Sequence, residues 1–169
     1  MKRTKNIAFL GIMLTIIFIL SWLEFMLSLQ LLLPPHIKLG LANIVTMYCV
    51  IFVGKKSAIT LNFLKSLFVF LTRSPLAGLL SLCGGVLSIV IIILLLTIFK
   101  DRISYIALSV TGAVAHNVGQ LSAMIPFFGS FIFINYIPVM IISGIIAGVL
   151  TGTLLKVTLP LLSTIDIRE

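Results

Sequence analysis

The chain has 169 residues, of which 60% are hydrophobic and 9% are charged, and its mean hydropathy is +1.30. Soluble domains carry about 25% charged residues, so this composition excludes a water-soluble fold. The net charge of +8 does not indicate nucleic-acid binding, because the basic residues lie in the gaps between long apolar runs, as in the loops of membrane proteins.

Six apolar runs follow one another along the chain, and each is predicted to form a membrane-spanning helix. A spanning helix needs about 20 residues. The second and third runs are shorter, so they must borrow flanking residues, tilt little or be shielded by protein. We expect an all-α fold, an integral membrane bundle of six transmembrane helices that forms one domain over residues 1–169. The runs are Ile7–Leu29, Leu39–Val53, Ala58–Thr72, Leu76–Phe99, Ile103–Ile125 and Phe131–Leu159.

The basic residues alternate between the two sides of these runs. With a cytoplasmic N-terminus, nine of the twelve Lys and Arg residues lie inside, whereas Lys38 and Arg73 lie outside. This distribution predicts that both termini are cytoplasmic in the cell membrane. The first run lacks a small-residue cleavage site, so we expect a retained helix rather than a signal peptide. The nine are Lys2, Arg3, Lys5, Lys55, Lys56, Lys100, Arg102, Lys156 and Arg168.

Two outer loops are predicted to flank a pocket. The loop Gln30–Lys38 contains Pro34-Pro35, which stops a helix and stiffens an extended segment. The loop Pro126–Ser130 is rich in aromatic residues, which form either an interfacial belt or a hydrophobic lid. The aromatic residues are Phe127, Phe128, Phe131, Phe133 and Tyr136.

Small residues recur at a spacing of three or four in three helices. Such rows let helix backbones approach closely in lipid, so we expect the fifth and sixth helices to pack together. A shorter row in the first helix, formed by Ala8, Gly11 and Thr15, serves either internal packing or the docking of a partner helix. The longer rows are Ala107, Thr111, Ala115, Gly119 and Ala123 in the fifth helix, and Gly144, Gly148, Gly152 with Ser143, Ala147, Thr151 in the sixth.

Polar residues inside the runs predict a binding site. An ionisable residue in hydrocarbon costs at least about 2.5 kcal/mol, so its presence requires a reason. With the predicted topology, polar residues of five helices lie in the outer half of the bundle, above a nearly apolar inner half. This profile is typical of a cavity that is open to the outside and closed below. The predicted substrate-binding residues are His116, Asn117, Gln120, Asn43, Glu24, Lys38, Lys65 and Arg73.

Each group has an expected role and an alternative. His116 and Gln120 are four residues apart and share a helix face, so with Asn117 they are predicted to orient a ligand by hydrogen bonds. Lys38, Lys65 and Arg73 would favour an anionic group on it. Alternatively, His116 is a hydrogen-bonded packing residue, Glu24 and Lys65 form a structural ion pair, and Lys38 and Arg73 contact lipid headgroups.

Catalysis is not predicted. The sequence has no paired carboxylates, no nucleophile elbow, no phosphate-binding glycine loop and no Asp-rich motif that could hold magnesium. His36 and His116 lack a carboxylate or thiol at ligand spacing, and Cys49 and Cys83 lie in apolar runs. We expect a non-enzymatic protein without cofactor or metal, and any use of ATP must come from another chain.

Two stretches carry a family resemblance, Lys38–Val45 (KLGLANIV) and Gly112–Gln120 (GAVAHNVGQ). They resemble the Gx transporter family, whose members are often labelled heptaprenyl diphosphate synthase component I. That family is similar to the S components of energy-coupling factor (ECF) transporters. The resemblance implies a substrate-binding subunit that captures a vitamin-like or prenyl/quinone-related ligand from the outer face. It also implies a transmembrane T component and two cytoplasmic ATPases as partners.

Two other functions remain open. The chain could be a membrane accessory component of heptaprenyl diphosphate synthesis, in the isoprenoid and quinone pathways, which binds an enzyme without transporting a ligand. A proton-driven secondary transporter would use Glu24 and His116, but the inner half of the bundle offers no proton path.

Overall fold

The computed structural model describes residues 2–30 and 40–163, and within these ranges the fold is helical with no strand. A π-helical segment, Cys49–Val53, continues the second helix, and a 3₁₀ turn, Lys100–Arg102, joins the fourth helix to the fifth. The six helices are α1 Lys2–Gln30, α2 Leu41–Tyr48, α3 Lys55–Thr72, α4 Pro75–Phe99, α5 Tyr105–Phe128 and α6 Ser130–Ser163.

Three helices in the described part of the chain are long and apolar enough to cross a membrane, over Ile7–Ser28, Pro75–Phe99 and Ile134–Thr158. By length, α3 and α5 could also cross, but α3 carries Lys65 and α5 carries the polar residues from His116 to Gln120. The predicted all-helical membrane fold is therefore confirmed. The arrangement of six spans remains a prediction.

The helix α2 is short and lies in the middle of the bundle. Together with its π-helical continuation it covers only Leu41–Val53, and it contacts α1, α3, α4 and α6. Its side chains are buried or half-buried, and Ala42 and Cys49 have no exposed surface. Of the three ways in which the second run could be accommodated, shielding by protein is the one observed. Neighbouring helices cover α2, so it does not need to match the membrane thickness.

The predicted contact between α5 and α6 is confirmed, and it is the most extensive in the fold. A Cβ atom added to Gly148 would lie 2.4 Å from the Val110 Cα, so the two backbones touch there. The α6 glycines form this contact as expected. The row predicted on α5 does not, because Gly119 faces the Cys83 carbonyl of α4 and Thr111 is exposed.

The prediction of a loop over Pro126–Ser130 is wrong. Helix α5 continues through Pro126 to Phe128, and only Gly129 separates it from α6. Pro126 lies in the last turn of α5, where it removes one backbone hydrogen bond and leaves the turns before it intact. Gly129 then ends the helix with a φ of 79° and donates its N–H to the Ile125 carbonyl at 2.8 Å. The described aromatic side chains of this region are exposed: Phe127, Phe128, Phe131 and Tyr136.

Candidate functional site

The site begins where α2 begins. Gly40 precedes α2 in a left-handed conformation with a φ of 75°, which glycine adopts without strain. Its backbone N–H donates a short hydrogen bond to Oε1 of Glu24 on α1. A helix N-terminus has unpaired N–H groups and a partial positive charge, so a carboxylate there is doubly favourable. The only acid predicted inside a span thus holds the start of α2.

Lys65 of α3 reaches the same end of α2. Its Nζ atom donates to Oδ1 of Asn43 at 2.6 Å. Lys65 is 6% exposed and Glu24 is 5% exposed, so two opposite charges are buried inside the bundle. The Glu24 carboxylate attracts the Lys65 ammonium, although their hydrogen bonds go to Gly40 and Asn43. Charges at this depth are tolerated because each has a polar partner and an opposite charge nearby.

Arg73, at the end of α3, completes the charged cluster. Its guanidinium donates to the Ser21 carbonyl of α1 and lies 4.6 Å from the centroid of the Phe25 ring. Glu24 attracts it as well. Below this contact, the rings of Phe18 and Phe68 stack at 4.2 Å and pack α1 on α3. We call Glu24, Asn43, Lys65 and Arg73 the charged cluster.

His116 and Gln120 form a second polar pair, on the side of α5 that faces α4. The amide nitrogen of Gln120 lies 2.9 Å from Nε2 of His116, and both side chains are almost completely buried. They fit against Gly84, where an added Cβ would lie 2.7 Å from Gln120 Cγ and 3.0 Å from His116 Cε1. This glycine is what allows the two polar side chains to lie between the helices.

Asn117 belongs to a different contact. Its side-chain nitrogen donates to the Met140 carbonyl at 2.8 Å and to Oγ of Ser143 at 3.2 Å, both on α6. The three polar residues of α5 therefore point to two neighbours, with His116 and Gln120 towards α4 and Asn117 towards α6. Asn62 of α3 lies against Gly85 and approaches α4 from its other side.

Asn43 lies deeper in the bundle than predicted. It lines a cavity of about 20 Å³ with Gly40, Ser109, Gly112 and Thr151, all at the level of the first half of α5. That half is predicted to face the cytoplasm. The reason is the shortness of α2, which begins inside the bundle, so that its first turn lies beside α5 and α6. A cavity of this size holds about one water molecule.

Of the eight predicted binding residues, four form the charged cluster, two form the His116–Gln120 pair and Asn117 joins α5 to α6. Lys38, like the prolines of the predicted loop, lies outside the described residues. In the predicted docking row, Ala8, Gly11 and Thr15 are all exposed. Among the described residues, no three His, Cys, Asp or Glu side chains are grouped so that they could hold a metal ion.

Several residues of the site were not predicted. The backbone of Gly40, the carbonyl of Ser21 and the ring of Phe25 all bind charged side chains. Every residue has a backbone carbonyl, and every residue except proline has a backbone N–H, so the sequence does not show which of these groups will bind a side chain. The position of Gly40, directly before the apolar helix α2, was the available signal, because glycine is common beside helix ends.

Comparison with known proteins gives one family. A family model described as heptaprenyl diphosphate synthase component I matches residues 13–158. No curated protein matches significantly, and neither does any solved structure. The match includes the charged cluster, the His116–Gln120 pair and most of α6.

Proposed function

Because the chain belongs to the heptaprenyl diphosphate synthase component I family, and because its helical membrane bundle buries a charged cluster, we propose that it binds a small ligand within the membrane. In this proposal it is the substrate-binding subunit of a transporter, similar to an ECF S component. It captures a vitamin-like or prenyl/quinone-related molecule from the outer face.

The charged cluster is the observation that carries this proposal. Burying Glu24 and Lys65 and half-burying Arg73 is costly, and packing alone would be served better by apolar side chains. Lys65 is held by the neutral side chain of Asn43, and Arg73 by a backbone carbonyl. An anionic group of a ligand would bind either cation more strongly than these neutral partners do, because it adds the attraction between opposite charges to the hydrogen bond.

The short helix α2 supplies a route for binding. It begins inside the bundle at Gly40, and residues 31–39 connect this point to the end of α1. Displacement of Gly40 from Glu24 would expose the carboxylate, Asn43 and Lys65 together. The His116–Gln120 pair, behind Gly84, would then orient the polar part of the ligand. A T component and ATPases, docked on the exposed row of Ala8, would drive release.

The test begins with native mass spectrometry of gently extracted protein, which identifies any molecule that co-purifies. The affinity for that molecule is then measured in the wild-type chain, in Lys65→Met and in His116→Ala/Gln120→Ala. Losing one charge-assisted hydrogen bond costs about 1.5–3 kcal/mol, so we expect affinity to fall at least about tenfold in each variant. Ser122→Ala is the control, since this exposed serine bonds only its own helix. Unchanged affinity in the variants would reject the site.

The family description favours a second candidate. A synthase component that lacks catalytic motifs would be an accessory subunit, which holds a prenyltransferase at the membrane. Co-purification separates the two functions. Recovery of a T component with ATPases supports transport, and recovery of a prenyltransferase supports the accessory role. Vesicles without ATPases that show ligand-coupled proton flux would contradict both.

A further inference from the structure

A larger cavity lies at the opposite end of the bundle from Arg73. It has a volume of about 310 Å³, which is at the lower end of the range for small-molecule sites. Its walls come from the π-helical end of α2, the end of α4, the start of α5 and the last part of α6. This is the end where the sequence places most of its basic residues. No residue of the charged cluster or of the His116–Gln120 pair lines it.

The lining divides into an apolar wall and a basic rim. Ile51, Leu96 and Leu108 form part of the wall, and Leu108 is almost completely buried. Lys100 and Lys156, from separate elements, supply two positive charges, and none of the described lining residues is acidic. Both lysines are exposed, so their ammonium groups are available to a ligand.

The backbone at Lys100 supports a role for its side chain. Lys100 has a φ of 50°, and no other non-glycine residue in the described ranges has a positive φ. This conformation costs a side-chain-bearing residue of order 1–3 kcal/mol, and glycine would avoid that cost. The strained turn directs the chain from α4 into α5, where Ser104 caps the helix by accepting a hydrogen bond from Ala107 N at 3.1 Å.

We propose that this cavity binds a phosphate-bearing amphiphile, with its phosphate on Lys100 and Lys156 and its apolar chain against Ile51 and Leu108. The two ammonium groups match the charge of a phosphate, and none of the described lining residues is acidic. Basic pockets between membrane helices on the cytoplasmic side bind anionic lipid headgroups. The apolar wall distinguishes this ligand from free phosphate. This ligand is an anionic phospholipid of the surrounding bilayer.

The experiment measures binding of phosphatidylglycerol to the full chain by native mass spectrometry, with phosphatidylcholine and inorganic phosphate as separate probes. Each lysine near an anionic membrane surface strengthens lipid binding about fivefold. Lys100→Gln or Lys156→Gln should therefore weaken phosphatidylglycerol binding about fivefold, and the double variant about 25-fold. Lys55→Gln/Lys56→Gln is the matched control, because it removes two exposed charges that do not line the cavity. It should retain the wild-type affinity.

Three results would overturn the proposal. Equal loss in the control would show general surface attraction. Equal binding of phosphatidylcholine would show that the anionic headgroup is not recognised. Inorganic phosphate that binds as tightly as the lipid would show that the apolar wall does not contribute to binding. Ile103→Trp, which fills the cavity, should reduce lipid binding and leave the weak binding of inorganic phosphate unchanged. If the double Gln variant does not fold, the two single variants and the comparison of the three probes on the wild-type chain still test the proposal.

Discussion

The two sides of the bundle are held together by different chemistry. Where α1, α2 and α3 meet, long charged side chains reach backbone and amide groups, as in the contacts of Glu24 with Gly40 and of Lys65 with Asn43. Where α5 meets α6, glycines bring two backbones into contact, as at Gly148 and Val110. The first contact depends on a few exchangeable hydrogen bonds, and the second on close packing along several turns.

This difference separates the part of the molecule that could change from the part that supports it. In the proposed function, a ligand replaces a hydrogen-bond partner of Lys65 or Arg73 while the start of α2 moves away from Glu24. It cannot replace the backbone contact of α5 with α6, because no space remains there for another group. The side that carries the charges is thus the side on which binding could be coupled to movement of α2.

The largest effect is expected at the α5–α6 contact. A Cβ at Gly148 would lie 2.4 Å from the Val110 backbone, so Gly148→Leu should lower the free energy of unfolding by about 3 kcal/mol or more. Gly11→Leu is the matched control, because nothing lies within 4 Å of a Cβ at that position. Thermal unfolding in detergent micelles measures both. Equal stability of the two variants would contradict the packing described.

The next effect is expected in the charged cluster. Glu24→Gln retains an acceptor for Gly40 but removes the charge that faces Lys65 and Arg73, so it should cost about 2 kcal/mol. Lys65→Met should also be destabilising, because it removes the positive charge that faces the Glu24 carboxylate. The double variant should lose about 1 kcal/mol less free energy of unfolding than the two single variants lose together, because it leaves fewer uncompensated charges. Strict additivity in denaturant titrations would show that the two charges do not interact.

A smaller effect is expected at Asn117. Its side chain donates to Met140 and Ser143 of α6, so Asn117→Ala should cost about 1 kcal/mol and leave ligand affinity unchanged. Asn135→Ala provides the comparison, since that exposed side chain bonds only the Phe131 carbonyl of its own helix. A loss of ligand affinity in Asn117→Ala, with stability retained, would place this residue in the binding site after all.

The smallest effect is expected at Ser109. Its hydroxyl lies 2.5 Å from that of Thr151 and joins α5 to α6 beside the small cavity. Hydrogen bonds between membrane helices average about 0.6 kcal/mol, so Ser109→Ala should lower the free energy of unfolding by about that amount. A change no larger than that of the exposed Ser122→Ala would show that the hydroxyl pair adds nothing to the α5–α6 contact.

Much of the helical arrangement was predictable because lipid imposes simple rules. Each apolar run contains a helix, since backbone groups in hydrocarbon must bond within their own segment. The α6 glycines predicted the contact with α5 because only small residues permit such an approach. The α5 row gave a wrong prediction, because its small residues contact α4 or are exposed. The residues of α5 that contact the α6 glycines are Ile106, Val110 and Val114. A row of small residues shows that some backbone comes close, without showing which.

The candidate site was predictable in composition and only partly in arrangement. Glu24, Asn43 and Lys65 stood out because polar side chains are rare in apolar runs, and Arg73 because it follows directly after one. The four residues do lie together. The depth of Asn43 was not predictable, because it depends on where the short helix α2 begins inside the bundle.

The sequence by itself determined that this is a helical membrane protein, and it identified the residues that need polar partners. Hydrophobicity and charge act locally along the chain, so they can be read residue by residue. Only the tertiary structure decided that Glu24 binds the backbone of Gly40, that Asn117 turns away from His116, and that a second cavity opens beside Lys100 and Lys156. These choices depend on backbone atoms and on the angles between helices, which arise only when all the helices are packed together.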